Sequence, residues 1–333
     1  MKRLFLFFFA ATALITISCS NSERTAGGRS SNDTPDYEQP PLGVVLGGGG
    51  AKAAAEIGVL KWIDEQGIEV SYIACSSMGS VVGGLYAAGF TAEEIEKMWY
   101  EEDWLALFRT SAIGSNNGGR TIFGLVKGEE FEEQLRRKLA EKGCHSFADT
   151  KIPFCCTVTS IIDDKWIKEE VLDTGDLARG IRASMTFPAP LAYRPFTHQG
   201  MRLADGGMMN NLPVDVLKER GMKRVLAIDL EVRQYDPLVN NLVKFFVEIL
   251  KNNPWADLVL SVTDTKWLAT WFEERPDVTK HEKNVQLADV LLNPELKGYK
   301  ITSFDNKSAR QMVLEGWDTA NKYKRKITQL LNQ

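Results

Sequence analysis

Leu42-Gly43-Val44-Val45-Leu46 is a short apolar run that stops at four glycines, the pattern of a buried strand closed by a turn. From Ala51 to Gln66, Ala53, Ile57, Leu60 and Ile63 recur at helical spacing, with Gly67 just past the end. Val70 to Ala74 predicts a second strand, and Met78 to Ala88 a second helix made of small residues. Strand, helix, strand, helix within about 45 residues predicts a parallel α/β sheet. Phe154 to Ser160, Arg224 to Leu230 and Ala288 to Leu292 read as later strands, before a closing helix from about Lys307 to Leu331. The stretch 238–283 is different. Leu242, Phe245, Phe246 and Ile249 fit an amphipathic helix, and Trp255, Trp267, Trp271 and Phe272 follow, which predicts a helical, aromatic-rich insertion. Two roles suit it: a lid that dips into a bilayer, since Trp favours the membrane interface, or a subdomain packed on the core. The charged segment from Arg275 to Lys283, which holds His281, reads as an exposed loop.

Composition narrows the class. The chain has 333 residues, 44% of them apolar, enough for one large domain. Forty Lys and Arg stand against 44 Asp and Glu with the signs mixed, so no basic block exists to serve a dedicated nucleic-acid binder. The five Cys form no C-x-x-C and the three His are scattered, which argues against a structural zinc site; no other metal or organic cofactor is implied. Cys155 and Cys156 are neighbours in a strand and face opposite ways, which prevents them from pairing; buried free thiols are the expectation.

The N-terminus reads as an address. Met1-Lys2-Arg3 precedes an apolar run from Leu4 to Ile17, too short for the roughly 20 residues a spanning helix needs. Ser18-Cys19 and a polar stretch to Gln39 follow, broken by Gly27-Gly28 and Pro35. This resembles a bacterial lipoprotein signal, although Thr16 stands where Leu is usual. The organisation expected is a signal peptide at 1–18, a flexible tether at 19–41 starting with a lipidated Cys19, and a domain at 42–333. Ser20, in place of the Asp that commonly retains lipoproteins at the inner membrane, favours the outer membrane. A plain secretory signal with an incidental Cys, leaving the protein periplasmic or secreted, is the alternative.

Three motifs carry candidate chemistry. Gly47-Gly48-Gly49-Gly50-Ala51-Lys52 joins a strand to a helix start, where free N–H groups can hold a phosphate or the oxyanion of an acyl transfer. It lacks the Gly-Lys-Ser/Thr of a Walker loop and fails G-x-G-x-x-G. Cys75-Ser76-Ser77-Met78-Gly79 approximates the G-x-S-x-G nucleophile elbow, with Ser77 central and Cys75 replacing the first Gly; a Ser helix cap is the other reading. Asp205-Gly206-Gly207 is either a functional acid or a simple turn.

In this order the three motifs resemble the patatin-like phospholipase family. Gly84-Leu85-Tyr86-Ala87-Ala88-Gly89, Arg182-Ala183-Ser184-Met185 through Pro188, and Asn210-Asn211-Leu212-Pro213-Val214 also read like family segments. The likeness runs from Leu42 to about Gly316 and is weakest across 231–282. It implies a three-layer α/β/α fold and serine acyl-ester hydrolysis of phospholipids or lysophospholipids at a membrane surface. It further implies Ser77 as nucleophile, Asp205 as base without a His, and Gly48, Gly49 and Gly50 as the oxyanion hole. Gly79 and Gly206 support the turns. Lys52 occupies the family's basic position, either supporting the loop or lying on a solvated face. Cys75 and Ala53 replace family glycines, so a catalytically impaired binding protein of the same fold is the alternative. The chain order Ser, Asp, His also permits a triad with His281.

Overall fold

The structure, a computed structural model, describes residues 42–101, 128–162, 166–186, 196–230, 271 and 274–333. The expected signal peptide, the expected tether with Cys19 and most of the 238–283 stretch lie outside the described residues.

The central sheet links hydrogen-bonded neighbours in the order β5 (Phe196–His198) to β6 (Met201–Asp205), β6 to β3 (Phe154–Ile162), β3 to β2 (Tyr72–Cys75), β2 to β1 (Leu42–Leu46), β1 to β7 (Arg224–Ile228) and β7 to β8 (Val290–Leu292), with β4 (Trp166–Leu172) also paired to β3. The pairings of β1 with β2 and β7, of β2 with β3, and of β7 with β8 are parallel; β4, β5 and β6 add antiparallel pairs. Side chains alternate across it as the pleat requires. Val44, Leu46, Ile73, Cys75, Cys156, Leu226 and Ile228 enter one apolar cluster. Val45, Ala74, Cys155, Val225 and Ala227 enter the other.

The first face is covered by α1 (Ala54–Glu65), α2 (Gly79–Ala88), α3 (Ala92–Glu101), α4 (Gly128–Glu141), α5 (Leu177–Ser184), α8 (Asn306–Lys322) and α9 (Lys324–Leu331). The second is covered by α6 (Val214–Glu219) and by α7 (Pro276–Leu287). This is the three-layer arrangement implied above, with both faces of the parallel strands buried.

Several expected boundaries move. The first helix opens with a 3₁₀ turn at Gly50–Ala53 before α1, the second strand begins at Tyr72, and the closing helix divides at Tyr323 into α8 and α9. The expected loop at 275–283 is instead helix α7, started by Pro276. Its buried positions are Asp277 and Asn284, polar residues held by ion-pair and hydrogen-bond partners, so no apolar stripe announced it.

One feature of register positions the site. Cys156 of β3 pairs with Cys75 of β2 and with Leu172 of β4, while Val158 pairs with Asp205 of β6 and with Glu170 of β4. A residue with two partners has one on each side, so β4 occupies one flank of β3 and β2 and β6 share the other. The carboxyl ends of β2 and β6 therefore meet head to head, two residues apart along β3, or about 6.6 Å. The residues that follow β2 and end β6 are Ser77 and Asp205.

Candidate active site

Ser77 stands at the strand-to-helix turn with φ of 50°, one of three non-glycine residues in the left-handed region among the described residues. Such a backbone costs about 1–3 kcal/mol and persists only where its surroundings hold it. Here the Ser76 N–H donates to Leu46 O at 3.1 Å, the Ser77 N–H to Ser184 Oγ at 3.0 Å, and the Ser80 N–H to Ser77 O at 2.9 Å. Ser184 Oγ also meets Ser80 Oγ at 2.8 Å, which ties the end of α5 to the first turn of α2.

The Ser77 hydroxyl donates to Asp205 Oδ2 at 2.8 Å, while Asp205 Oδ1 accepts the Gly207 N–H at 2.7 Å. One carboxylate oxygen is thus anchored in its own turn and the other faces the serine. The Asp205 backbone is fixed as well: its N–H donates to Thr186 O at 2.9 Å, and its carbonyl accepts Thr159 Oγ1–H at 2.7 Å. Asp205 is 2% exposed. The Oδ1 bond to the Gly207 N–H is one that an Asp-Gly-Gly turn makes by itself, whereas the ties to Ser77, Thr186 and Thr159 are not.

The glycine loop lies against the serine. A Cβ at Gly48 would lie 2.6 Å from Ser77 Cβ and would collide with Asn211 Oδ1, so only glycine fits this approach. The geometry divides the three expected oxyanion donors. The Gly48 N–H is already engaged, donating to Asn211 O at 3.2 Å, and the next occupied donor is Ala51, bonded to Ile301 O at 2.8 Å. Among the described residues the intervening Gly49 and Gly50 N–H groups have no hydrogen-bond partner. Gly79 is the first residue of α2, where a Cβ would lie 2.7 Å from Leu46 O and Gly47 O.

Lys52 is 2% exposed, which removes the solvated-face reading: its stem is part of the interior beneath the loop. Cys75 is fully buried and joins the first-face cluster, its sulfur beside Gly83 of α2, where a Cβ would overlap it. The thiol therefore occupies space that glycine leaves in the neighbouring helix and does not crowd the serine hydroxyl. Burial pushes its pKa well above the ordinary 9.0, which keeps it a neutral thiol. Cys144, Cys155 and Cys156 are likewise buried and free.

His281 does not serve Asp205 as a triad would require. Its Nε2 lies 3.2 Å from Asp229 Oδ2, just past β7. The same carboxylate accepts from Asn293 Nδ2 at 3.3 Å. Trp271, the described member of the aromatic stretch, is 4% exposed and donates from Nε1 to Met208 O at 2.6 Å, against the turn that follows Asp205. That contact fits a packed segment rather than a free lid at this residue. Among the described residues no three His, Cys, Asp or Glu side chains converge to hold a metal ion.

Three features escaped sequence reasoning. Ser184 lies inside a segment noted only for its family likeness, 107 residues from the N–H it supports. The Asn210–Asn211 pair was read in the same way. Glu56, in the first turn of α1, is fully buried, and among the described residues neither carboxyl oxygen has a hydrogen-bond partner. Burial pushes its pKa well above the ordinary 4.5; the nearby Gly47 N–H offsets this in part but makes its bond to Ile228 O at 3.2 Å. A charged residue spaced among apolar ones gave no sign of facing inward.

Comparison with known proteins shows the family. Residues 44–218 match the family model described as patatin-like phospholipase. The chain is 31% identical over 219 residues to Lysophospholipase NTE1 of Mycosarcoma maydis, a match spanning 65% of this chain and 11% of that protein. It is 30% identical over 221 residues to human Patatin-like phospholipase domain-containing protein 6, spanning 66% of this chain and 16% of that one. Among solved structures, VipD from Legionella pneumophila aligns over 88% of this chain and 67% of its own, at 17% identity and a TM-score of 0.45. On the family match across the glycine loop, the serine elbow and the Asp-Gly turn, the chain belongs to the patatin-like phospholipase family.

Proposed function

We propose that the chain is a serine acyl-ester hydrolase acting on phospholipid or lysophospholipid through a Ser77–Asp205 dyad. The observation that carries this reading is the 2.8 Å hydrogen bond from the Ser77 hydroxyl, on its left-handed elbow, to Asp205 Oδ2. A neutral serine hydroxyl is a weak nucleophile and needs a base within hydrogen-bond reach. As Ser77 Oγ bonds to the ester carbonyl carbon, its proton passes to Asp205 and the carbonyl oxygen becomes an oxyanion. The Gly49 and Gly50 N–H groups, which have no partner among the described residues, are the donors for that charge. Collapse breaks the ester bond, the leaving alcohol takes the proton from Asp205, and the acyl group stays on Ser77. Asp205 then takes a proton from a water as that water attacks the acyl-enzyme, and returns it to Ser77 Oγ as the acyl–oxygen bond breaks, which releases a fatty acid and restores the serine hydroxyl. The lipid substrate rests on the family and on relatives whose names are lysophospholipase and phospholipase. The alternative of an impaired binding protein rested on Cys75 and Ala53. Both are buried in the core, and the room beside Gly83 favours the catalytic reading.

Export as a lipoprotein anchored through Cys19, with the outer membrane as destination, is part of the proposal and rests on the sequence of residues 1–20. Such an anchor holds the enzyme beside a membrane substrate. Metabolic labelling with a fatty-acid probe should mark the wild type and not Cys19→Ser; equal labelling would return the N-terminus to a plain signal.

The central test is covalent capture by a fluorophosphonate probe in the presence of lipid vesicles, followed by release of fatty acid from lysophospholipid. Labelling and turnover should both vanish in Ser77→Ala. Turnover should fall at least about 10³-fold in Asp205→Asn, a loss in the range seen when a triad member is removed. A folded wild type that neither labels nor turns over would refute the hydrolase.

A further inference from the structure

Asn211 holds both backbone groups of Gly48. Its side-chain Nδ2 donates to Gly48 O at 2.9 Å, and its own carbonyl accepts the Gly48 N–H at 3.2 Å. The same side chain fills the space left by two missing Cβ atoms. Its Oδ1 would overlap a Cβ at Gly48 and would lie 2.5 Å from one at Gly207, whose N–H anchors Asp205 Oδ1. Asn211 is 8% exposed, so these contacts are sheltered from water.

The residue before it is bolted to three other elements. Asn210 Nδ2 donates to Glu169 Oε1 at 2.7 Å and Asp215 Oδ1 at 2.9 Å, and its Oδ1 accepts from Asn284 Nδ2 at 3.0 Å. Lys280 closes the cluster, its Nζ 2.9 Å from Glu169 Oε2 and 2.5 Å from Asp215 Oδ2. One end of the dipeptide is therefore fixed to β4, α6 and α7, and the other reaches the glycine loop.

Peptide geometry gives this grip a consequence. The carbonyl of Gly48 and the N–H of Gly49 belong to one planar trans unit and point in opposite directions. Pinning the carbonyl toward Asn211 therefore aims the Gly49 N–H to the other side. Glycine has no side chain to restrict its torsions, and the loop's own bond, from the Lys52 N–H to Gly49 O at 3.2 Å, holds the peptide after Gly49 and not the one before it.

We propose that Asn211 is a positioning residue of the oxyanion hole, which sets the direction of the Gly49 N–H by holding the Gly48 carbonyl and couples the loop to the Asp205 turn. This rests on the hydrolase reading above. Asn211→Asp keeps the shape but replaces the donor with an oxygen that repels the Gly48 carbonyl; Asn211→Ala removes the tie without adding charge. A misplacement on the scale of 1 Å costs about 10²-fold in rate. An oxyanion donor acts on the transition state and not on bound substrate, so the loss should fall on kcat.

The experiment measures three quantities on wild type, Asn211→Asp, Asn211→Ala and Ser77→Ala: the fluorophosphonate reaction rate per folded molecule, kcat and KM for a lysophospholipid, and Tm. The expected result is a roughly 10²-fold fall in both the phosphonylation rate and kcat for each Asn211 variant. KM should stay within about threefold and the folded fraction should be unchanged. Wild-type rates in folded variants would overturn the proposal. So would a fall that only tracks lost folded protein, or failure of both variants to fold, since Asn211 would then serve the fold alone. An inert wild type refutes the hydrolase reading instead, an outcome the wild-type and Ser77→Ala controls identify.

Discussion

The fit between Cys75 and Gly83 makes a double-mutant cycle decisive. In Gly83→Ala the new methyl would overlap Cys75 Sγ and come within 3.1 Å of Ile73 Cγ2 and Leu46 Cδ1. Overpacking of this kind costs about 1–3 kcal/mol. Against it stands the helix preference for Ala over Gly, worth about 1 kcal/mol within α2. The net expectation is a loss of about 1 kcal/mol, or about 2–4 °C in Tm for a domain of this size. In a Cys75→Ala background the sulfur is gone and its space is open. The same Gly83→Ala change should then be neutral or stabilising by up to about 1 kcal/mol, because the helix term survives and the main overlap does not. The coupling should therefore be about 1–2 kcal/mol, within the range for residues in contact. Urea unfolding of the four proteins, followed by far-ultraviolet circular dichroism, measures it. Additivity within about 0.5 kcal/mol would mean that the cysteine finds its room elsewhere, and the argument that it spares the serine elbow would fail.

The other predictions concern the site and its supports. Glu56 keeps its proton in the folded protein at a pH where the unfolded chain has lost it. Its contribution to stability is thus complete below about 4.5 and is lost as pH rises toward the folded value, with a slope near 1.4 kcal/mol per pH unit. Glu56→Gln should remove that slope from the pH dependence of unfolding free energy; an unchanged slope would show the carboxyl to be charged in the fold. Ser184→Ala strips the acceptor from the Ser77 N–H, a half-buried hydrogen bond of a kind that contributes about 0.5–1.5 kcal/mol, so esterase kcat and Tm should both fall. Equal kcat and Tm would show that the elbow holds itself. His281→Ala should leave lysophospholipid turnover within about threefold, since its ring serves Asp229, whereas a loss near 10⁴-fold would restore the triad. Lys280→Met leaves the Glu169 and Asp215 carboxylates together without their shared cation. It should destabilise by about 2 kcal/mol, below the 3–5 of a fully buried pair because the lysine is 29% exposed. Chemical denaturation at neutral pH tests this, and an unchanged midpoint would refute it.

Local sequence determined those parts of this protein whose cause is local. The apolar run 42–46 had to be buried, four glycines had to break it, and the stretches beginning at Ala51 and Met78 carry helical spacing or small residues that suit a helix against a sheet. The order of glycine loop, serine elbow and Asp-Gly turn was legible for the same reason: each motif is a short stretch whose chemistry depends on its own neighbours. Tertiary structure alone decided what joins them. Ser77 and Asp205 are 128 residues apart, and they meet because β2 and β6 arrive end to end on one flank of β3, a register that no single segment encodes. Helix α7 was hidden because it buries polar side chains whose partners lie on α6 and in the turn after β6. The room for Cys75, the support of Ser184 and the grip of Asn211 are likewise relations between distant segments. A hydrogen bond or a close approach is a property of two groups at once, and only the folded chain brings both to the same place.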